Sequence, residues 1–364
     1  MLFWLLACAE PKPEAVPEEK AHLDVVLVVI ETWRVDRLAL GGHHRDTMPF
    51  VESLAARGTV WTHAVAPAPW TLPSVASIST GKWPHETGVV RTEHALAADH
   101  ETLAEAMSAR GYQTAFVGVN ELLTHDRGLD QGFDTYEAFT GLSADGVRKE
   151  ILDIPRDDRP LFLQLHLFEP HCPYWPPRSH RGLYPVADEP LVTDEMLAAT
   201  VDCHIVPDER RLDAWFSHYD AELTALDGQL ERILRDRGDA RIVLVGDHGE
   251  AFWEHGTIGH GAELVDEVLR VPLIAVEPGQ APQRFDEPIS TREVYRLVLQ
   301  QALQTEVLSE TSQTSPRQCL GEARSCATPV AEAPTVDLSP EAFKALEALG
   351  YTEVIGSTDP GETP

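Results

Sequence analysis

Basic residues are scarce in this sequence of 364 residues, which has 29 Lys and Arg against 59 Asp and Glu and a formal net charge of −30. Proteins that bind nucleic acids need clustered Lys and Arg, because these side chains displace the counterions of the phosphate backbone. We therefore expect no nucleic-acid partner and no electrostatic docking on anionic lipid. With 43% hydrophobic and 24% charged residues, the chain is expected to fold around a sizeable core.

Cysteine is also rare, and long apolar runs are lacking. The cysteines are too few for a small disulfide scaffold and lack the C-x-x-C spacing of a zinc knuckle. They are Cys8, Cys172, Cys203, Cys319 and Cys326. No run beyond the N-terminus approaches the roughly 18 residues needed to cross a bilayer. The sequence thus excludes a disulfide-stapled miniprotein and predicts a body without membrane-spanning helices.

The first residues resemble a bacterial lipoprotein signal. Residues 2–7 (LFWLLA) are apolar, a small residue precedes Cys8, and a Pro- and Glu-rich stretch follows. This pattern predicts a lipid-modified Cys8, an acidic tether and attachment in the bacterial cell envelope. The run is short and no Lys or Arg precedes it, so an unprocessed terminus stays an alternative. After export, the four other cysteines would lie in an oxidising compartment, where three pairings are open.

Short β-branched runs alternate with helix-like segments. The run at 23–30 (LDVVLVVI) is continuous, as in a strand buried on both faces of a parallel sheet. Similar runs lie at 59–66, 113–119, 161–167, 241–246 and 271–276. The helix-like segments lie at 48–57, 73–80, 100–110, 143–153 and 208–236. This alternation predicts an α/β fold with a doubly wound, mostly parallel sheet flanked by helices.

Three regions are expected along the chain. Residues 1–21 form the signal-like segment and tether, and residues 22–304 form one catalytic domain. Residues 305–364 form a small C-terminal extension with an acidic tail. Within it, 339–349 (SPEAFKALEAL) has the cap and composition of a terminal helix.

Four of the predicted strands lead into residues that can carry out chemistry. Ligands of an open parallel sheet bind beyond the carboxyl ends of its strands. The residues at these ends are Glu31, Thr71, His166 with His171, and Asp247 with His248. One such residue alone is more often a helix cap or a satisfied polar group, but four groups at one edge indicate a site.

Glu31, Thr71, Asp247 and His248 form a predicted ligand set for one divalent ion. The stretch TLPSVASISTG predicts a helix that begins just after Thr71, where backbone N–H groups can hold an anion. The imidazole ligand favours zinc or manganese over calcium, which takes oxygen ligands.

Long motifs run in order through residues 22–352: VVLVVIETWRVDRL, APWTLPSVASISTGKWPHETGV, LQLHLFEPHCPYWPP, GDHGEAFWEHGTIGHG and LRVPLI. In this order they resemble the sulfatase family of the alkaline phosphatase superfamily. The resemblance implies a central mixed sheet, a metal at the strand ends, and hydrolysis or transfer of a sulfuryl or phosphoryl group through a covalent intermediate.

The chain departs from the family pattern at the nucleophile. Familiar sulfatases have Cys or Ser in C/S-x-P-x-R and convert it to formylglycine, whereas this chain has Thr71, Pro73 and Val75. Threonine cannot become that aldehyde. His260 and Asn120 stand where the family often has Lys. A threonine nucleophile resembles the lipid-directed phosphoethanolamine and phosphoglycerol transferases instead.

Together these features predict a metal-dependent hydrolase of phosphate or sulfate esters in which Thr71 forms the covalent intermediate. The chemistry favours phosphorus, because water can attack a phosphothreonine directly, whereas a threonine sulfate lacks the exit that formylglycine provides. His166, His171 and His260 are predicted to bind the anion or protonate the leaving group.

Asn120, His255 and Lys82 are the predicted substrate contacts, and the expected substrate is a small-molecule, glycan or lipid ester. Two other functions stay open. One is a lipid-anchored transferase of the cell envelope, and the other is a non-catalytic binding protein on this fold. Stoichiometric bound metal separates the enzymes from the binding protein.

Overall fold

The computed structural model describes residues 23–185, 208–256, 258–261, 263–303 and 333–335. Cys8, the predicted tether and most of the predicted C-terminal extension lie outside the described residues. Cys172 lies inside them and is disulfide-bonded.

The strands are β1 (Val25–Ile30), β2 (Thr59–Trp61), β3 (Ala64–Val65), β4 (Gln113–Val119), β5 (Thr135–Phe139), β6 (Leu161–Leu167), β7 (Arg241–Gly246), β8 (Ala251–Phe252), β9 (Ile258–Gly259), β10 (Leu273–Val276), β11 (Gln283–Phe285) and β12 (Ile289–Ser290). The α-helices are α1 (Pro49–Ala55), α2 (Thr71–Thr80), α3 (Pro84–Thr87), α4 (Leu103–Ser108), α5 (Ala144–Asp153), α6 (Glu209–Arg235), α7 (Asp266–Leu269) and α8 (Val294–Leu303). Short 3-10 turns connect several of them.

The largest sheet in the described part of the chain has eight strands in the order β11–β2–β10–β7–β1–β6–β4–β5. β1 lies at its centre and pairs in parallel with β6 and β7, so that Ile30 stands opposite Leu167 and Gly246. β4 and β5 continue the parallel part, and β10 runs antiparallel to β7. The predicted mostly parallel, doubly wound sheet is confirmed, and the ends of β1, β6 and β7 meet at one edge.

Two details differ from the prediction. The run at 59–66 is two strands, because the chain turns at Thr62, whose N–H and hydroxyl bind Phe285 and Asp286. β2 therefore stays in the large sheet while β3 pairs with β12. Helix α2 begins at Thr71 itself, with Trp70 as its N-cap residue.

The side chains of β1 alternate between two buried layers. Val26, Val28 and Ile30 pack with apolar residues of α1, α5 and α6. Val25, Leu27 and Val29 pack on the other face with apolar residues of α4 and α8. Because helices cover both faces, β1 has no exposed residue, and its carboxyl end is fixed in position.

No helix within the described ranges is both long enough and apolar enough to cross a membrane.

Candidate active site at the carboxyl edge of the sheet

Five fully buried side chains meet where the parallel strands end. Glu31 directly follows β1, Asp247 and His248 directly follow β7, His166 is the next-to-last residue of β6, and Thr71 opens α2. Parallel pairing of β1 with β6 and β7 brings these residues to one edge although they lie far apart in the sequence.

Glu31 is the residue on which the site converges. The Thr71 hydroxyl and the Asn120 amide each donate a hydrogen bond to Oε1 at 2.7 Å. His166 Nε2 lies 3.3 Å from the other oxygen, Oε2, and His171 Nε2 lies 3.9 Å from Oε1. The structure thus places four predicted residues around Glu31. One of them, Asn120, was predicted to contact substrate, and its amide donates to Glu31.

The pKa values of the two buried carboxyl groups, Asp247 and Glu31, are shifted in opposite directions. Burial and the charge of Glu31 hold the pKa of Asp247 well above its ordinary value. Burial also disfavours the charge of Glu31, but its hydrogen bond with His166 and the charges of His171, His166 and His248 together lower its pKa. A cation between the two carboxylates would offset their mutual repulsion, because it would stabilise both negative charges at once.

The residues present fit a divalent ion. Glu31, His166 and Asp247 each offer one ligand atom, and these atoms lie within 4.8 Å of one another. The N–H groups of Thr32 and His248 hold Asp247 Oδ1 at 3.3 and 2.7 Å. Asp247 Oδ2 is buried and accepts no hydrogen bond from any described residue. Two carboxylates with one imidazole suit zinc or manganese.

His248 lies beside Thr71. Its Nε2 is 3.2 Å from the Thr71 hydroxyl and 3.5 Å from Asp247 Oδ2. Its Nδ1 donates to the Gly249 carbonyl at 2.8 Å, which leaves Nε2 as the ring nitrogen that accepts a proton. Burial and the neighbouring His260 hold the pKa of His248 well below its ordinary value. The residues that could hold the ion are Glu31, His166 and Asp247, so the imidazole of this group is His166, whereas the sequence predicted His248.

His260 joins the site with a partner that the sequence did not reveal. Its ring lies 4.4 Å from that of His248 and 5.1 Å from that of His171, centroid to centroid. Its Nδ1 lies 2.8 Å from the buried carboxylate of Glu250. Burial opposes the charge of His260, but Glu250 raises its pKa overall. The only sequence signal for Glu250 is its place after the glycine of GDHG, where an acid also suits a surface turn.

Two predicted substrate residues lie apart from this cluster. Lys82 follows the carboxyl end of α2, the opposite end from Thr71, and its amine is 2.7 Å from His100 Nδ1. A helix rises 1.5 Å per residue, so α2 separates the two by roughly 15 Å. His255 is exposed and pairs with Glu267 at 2.9 Å. Each has a local partner of its own and no contact with Glu31.

Comparison with known proteins settles the family. The Sulfatase family profile matches residues 24–304 of this chain. The chain belongs to the sulfatase family. Within this sulfatase-family chain, the strand ends described above carry Glu31, Asp247 and His248.

Curated relatives are distant. The chain is 24% identical over 333 residues to an ulvan-active sulfatase of Formosa agariphila, which covers 80% of this chain and 64% of that protein. It is 22% identical over 358 residues to an arylsulfatase of Clostridium perfringens, and the match covers 76% of this chain and 74% of that protein. An uncharacterized sulfatase of Escherichia coli, YidJ, is 24% identical over 300 residues, with 66% and 60% covered. The chain thus spans less than two thirds of the length of the first and last of these relatives.

Solved structures share the fold. A phosphonate monoester hydrolase of Agrobacterium radiobacter superposes with a TM-score of 0.65 at 20% identity, covering 77% of this chain and 73% of that one. A protein solved with its substrate D-glucosamine-2-N,6-O-disulfate also gives a TM-score of 0.65, at 18% identity, with 82% and 80% covered. At these identities the likeness shows the architecture alone.

Proposed function

We propose that this protein is a metal-dependent hydrolase of sulfate or phosphate esters with Thr71 as its nucleophile. The observation that carries the proposal is the Thr71 hydroxyl, which is fully buried, opens a helix and lies between two proton acceptors, Glu31 at 2.7 Å and His248 at 3.2 Å. A nucleophile needs such an acceptor, because a threonine hydroxyl is weakly nucleophilic at its ordinary pKa.

Glu31, His166 and Asp247 would hold the divalent ion, which supplies positive charge that stabilises the transferring group. His248 Nε2 accepts the Thr71 proton, since the Gly249 carbonyl holds the other ring nitrogen as a donor. The bond from Thr71 Oγ1 to phosphorus or sulfur forms as the bond to the leaving oxygen breaks. That oxygen takes a proton from an imidazolium, and water later cleaves the threonine ester.

The relatives point to two ester classes. The names of curated relatives specify sulfate esters, and two solved neighbours are phosphonate monoester hydrolases. The threonine argues for phosphorus, because formylglycine chemistry is closed to it. We propose that phosphate or phosphonate monoesters turn over faster than sulfate esters, and that the natural substrate carries the ester on a small molecule, a glycan or a lipid.

Mass spectrometry tests the nucleophile. The metal-loaded protein is mixed with aryl phosphate, aryl phosphonate and aryl sulfate, and peptides that contain Thr71 are analysed after a rapid quench. We expect a phospho or phosphonyl adduct on Thr71, its loss in Thr71→Ala, and partial turnover in Thr71→Ser. Thr80→Ala is the matched control, because its hydroxyl bonds within the same helix at the far end. Turnover in Thr71→Ala at the wild-type rate would refute the proposal, and transfer of the adduct to an added alcohol would identify a transferase.

We also propose that Cys8 is lipidated and anchors the protein in the bacterial cell envelope, with the acidic tether that follows Cys8 between anchor and domain. The apolar residues 2–7 before Cys8 support this. Labelled palmitate should be incorporated into the wild-type protein and not into Cys8→Ser. Labelling that persists in Cys8→Ser, or wild-type protein that stays unlabelled, would contradict it.

A further inference from the structure

Glu250 is a buried carboxylate with two hydrogen-bond partners at the edge of the candidate site. One oxygen, Oε1, lies 2.8 Å from His260 Nδ1. The other, Oε2, accepts the hydroxyl of Tyr174 at 3.1 Å. The side chains of Glu250, His260 and Tyr174 are all nearly inaccessible to solvent. The carboxylate is held in one orientation, because rotating it would break the buried hydrogen bond to His260 or to Tyr174.

The backbone of Glu250 is fixed as well. The guanidinium of Arg34, which is 3% exposed, donates to the Glu250 carbonyl at 2.8 Å. The same guanidinium forms ion pairs with Asp36 and Glu254. The loop after β1 therefore holds the loop after β7 at the residue that contacts His260.

The contact determines which nitrogen of His260 carries a proton. An ionised carboxylate only accepts hydrogen bonds, so the proton between Glu250 and His260 resides on Nδ1. The remaining nitrogen, Nε2, lies on the opposite side of a ring that packs against His248 and His171. The same hydrogen bond sets the rotation of the ring.

We infer that Glu250 is a positioning residue that keeps one proton of His260 on Nδ1, so that Nε2 is the nitrogen whose proton passes to the leaving oxygen of the ester when the ring is an imidazolium. Tyr174 fixes Glu250 in turn, and it also ties the loop after His171 to this pair. The tautomer of His260 stands independently of any reaction, whereas the effect on turnover rests on the proposed function.

Nitrogen-15 NMR of histidine-labelled, metal-loaded protein tests the inference without an activity assay. His260→Asn identifies the His260 signals. In the wild-type protein we expect a protonated Nδ1, and in Glu250→Ala we expect the Nε2–H form that neutral imidazole favours in water. Tyr174→Phe should retain the Nδ1–H form. Glu267→Gln is the matched control, because it removes the carboxylate partner of the exposed His255 and should leave His260 unchanged. Measured at a pH where the ring is neutral, a wild-type His260 with its proton on Nε2, or a Glu250→Ala protein that keeps Nδ1–H, would overturn the inference.

Kinetics then measure the consequence. In Glu250→Gln we expect kcat to fall by about 10- to 100-fold for alkyl esters, with a smaller fall for 4-nitrophenyl esters and little change in KM. A general loss of structure would lower both classes equally, and such an equal fall would count against the role in leaving-group departure. Absence of wild-type turnover on every ester would refute the proposed function and leave the tautomer measurement decisive for Glu250.

Discussion

At the scale of single residues, Asn120 shows how one contact controls the candidate metal site. Its amide donates to Glu31 Oε1 at 2.7 Å while its carbonyl accepts the N–H of Leu122 at 2.6 Å, so the side chain is locked from both ends. A donor held this way keeps one carboxylate oxygen oriented, and the other oxygen then faces the neighbouring His166. Partners that orient a metal ligand in this way commonly affect metal affinity strongly.

Replacing Asn120 should weaken metal binding more than it weakens the fold. We expect Asn120→Ala to lower the affinity for zinc or manganese by about 10- to 100-fold. Titration calorimetry with the metal-free protein measures this. Gln131→Ala is the control, because that amide bonds to Gly128 in a loop outside the site. Equal affinity in wild type and Asn120→Ala would show that Glu31 needs no such support.

The sequence allowed a side chain to be placed at the sheet edge where it directly follows a strand. Glu31 and Asp247 could be placed because parallel strands end at a common edge. Glu250 could not, since its contact with His260 depends on how two loops fold back on each other. Lys82 appeared close in the sequence to Thr71, but a helix of two to three turns carries it to the opposite end.

At the scale of elements, α6 ties the loop after β1 to the helical layer. Its Asp220 side chain has no exposed surface and binds Arg37 at 2.7 Å, Arg45 at 2.8 Å and His43 at 3.1 Å. Burial disfavours the charge of Asp220, yet these partners lower its pKa overall. The ion pairs therefore hold the segment that follows Glu31 against the long helix.

Removing this carboxylate should cost much of the stability. Asp220→Ala leaves two largely buried guanidinium groups without their partner, and we expect a loss of about 3 to 5 kcal/mol in the free energy of unfolding. Urea titration followed by circular dichroism measures the loss. Asp213→Ala, an exposed acid on the same helix, should change stability by less than about 0.5 kcal/mol. Similar midpoints for the two variants would contradict the prediction.

His218, also on α6, should make stability depend on pH. Burial, and then the charge of Arg181, lowers its pKa to about 4. The unfolded chain takes up this proton below about pH 6.5 and the folded protein only near pH 4, so stability falls as pH drops through that window. The full effect is about 3 kcal/mol. His218→Leu should flatten the decline between pH 6.5 and 4, while the exposed His44→Leu should not. An unchanged slope in His218→Leu would refute this.

The existence and type of the long elements were easier to predict than their boundaries. The long helix and the buried strands stand out because apolar periodicity and composition reflect burial directly. The division of 59–66 into β2 and β3 escaped prediction, since both pieces are apolar and only pairing with β11 and β12 separates them.

At the scale of the whole molecule, a net charge of −30 surrounds a site proposed to take anionic esters. Attraction for the proposed substrate must therefore be local, and the proposed ion, the start of α2 and the buried histidines would be its sources. The two carboxylates of Glu31 and Asp247, which repel each other, would become ligands of the proposed ion. Metal binding should consequently stabilise the entire fold.

Chelation should lower the melting temperature. An ion at about 100 times its dissociation constant contributes about 2.7 kcal/mol, which corresponds to a shift of several degrees for a domain of this size. We expect EDTA to lower Tm and added zinc or manganese to restore it. Asp247→Asn keeps the shape of the side chain and should abolish the response. A chelator response that survives in Asp247→Asn would place the stabilising ion elsewhere.

The central position of β1 has a consequence for synthesis of the chain. Glu31 emerges from the ribosome early, but its partner His166 lies 135 residues later and Asp247 follows only after β7. Strand pairings this distant form late in folding. The proposed metal site is therefore complete only once β1, β6 and β7 have paired. Chains whose sheet is incomplete should bind the ion weakly.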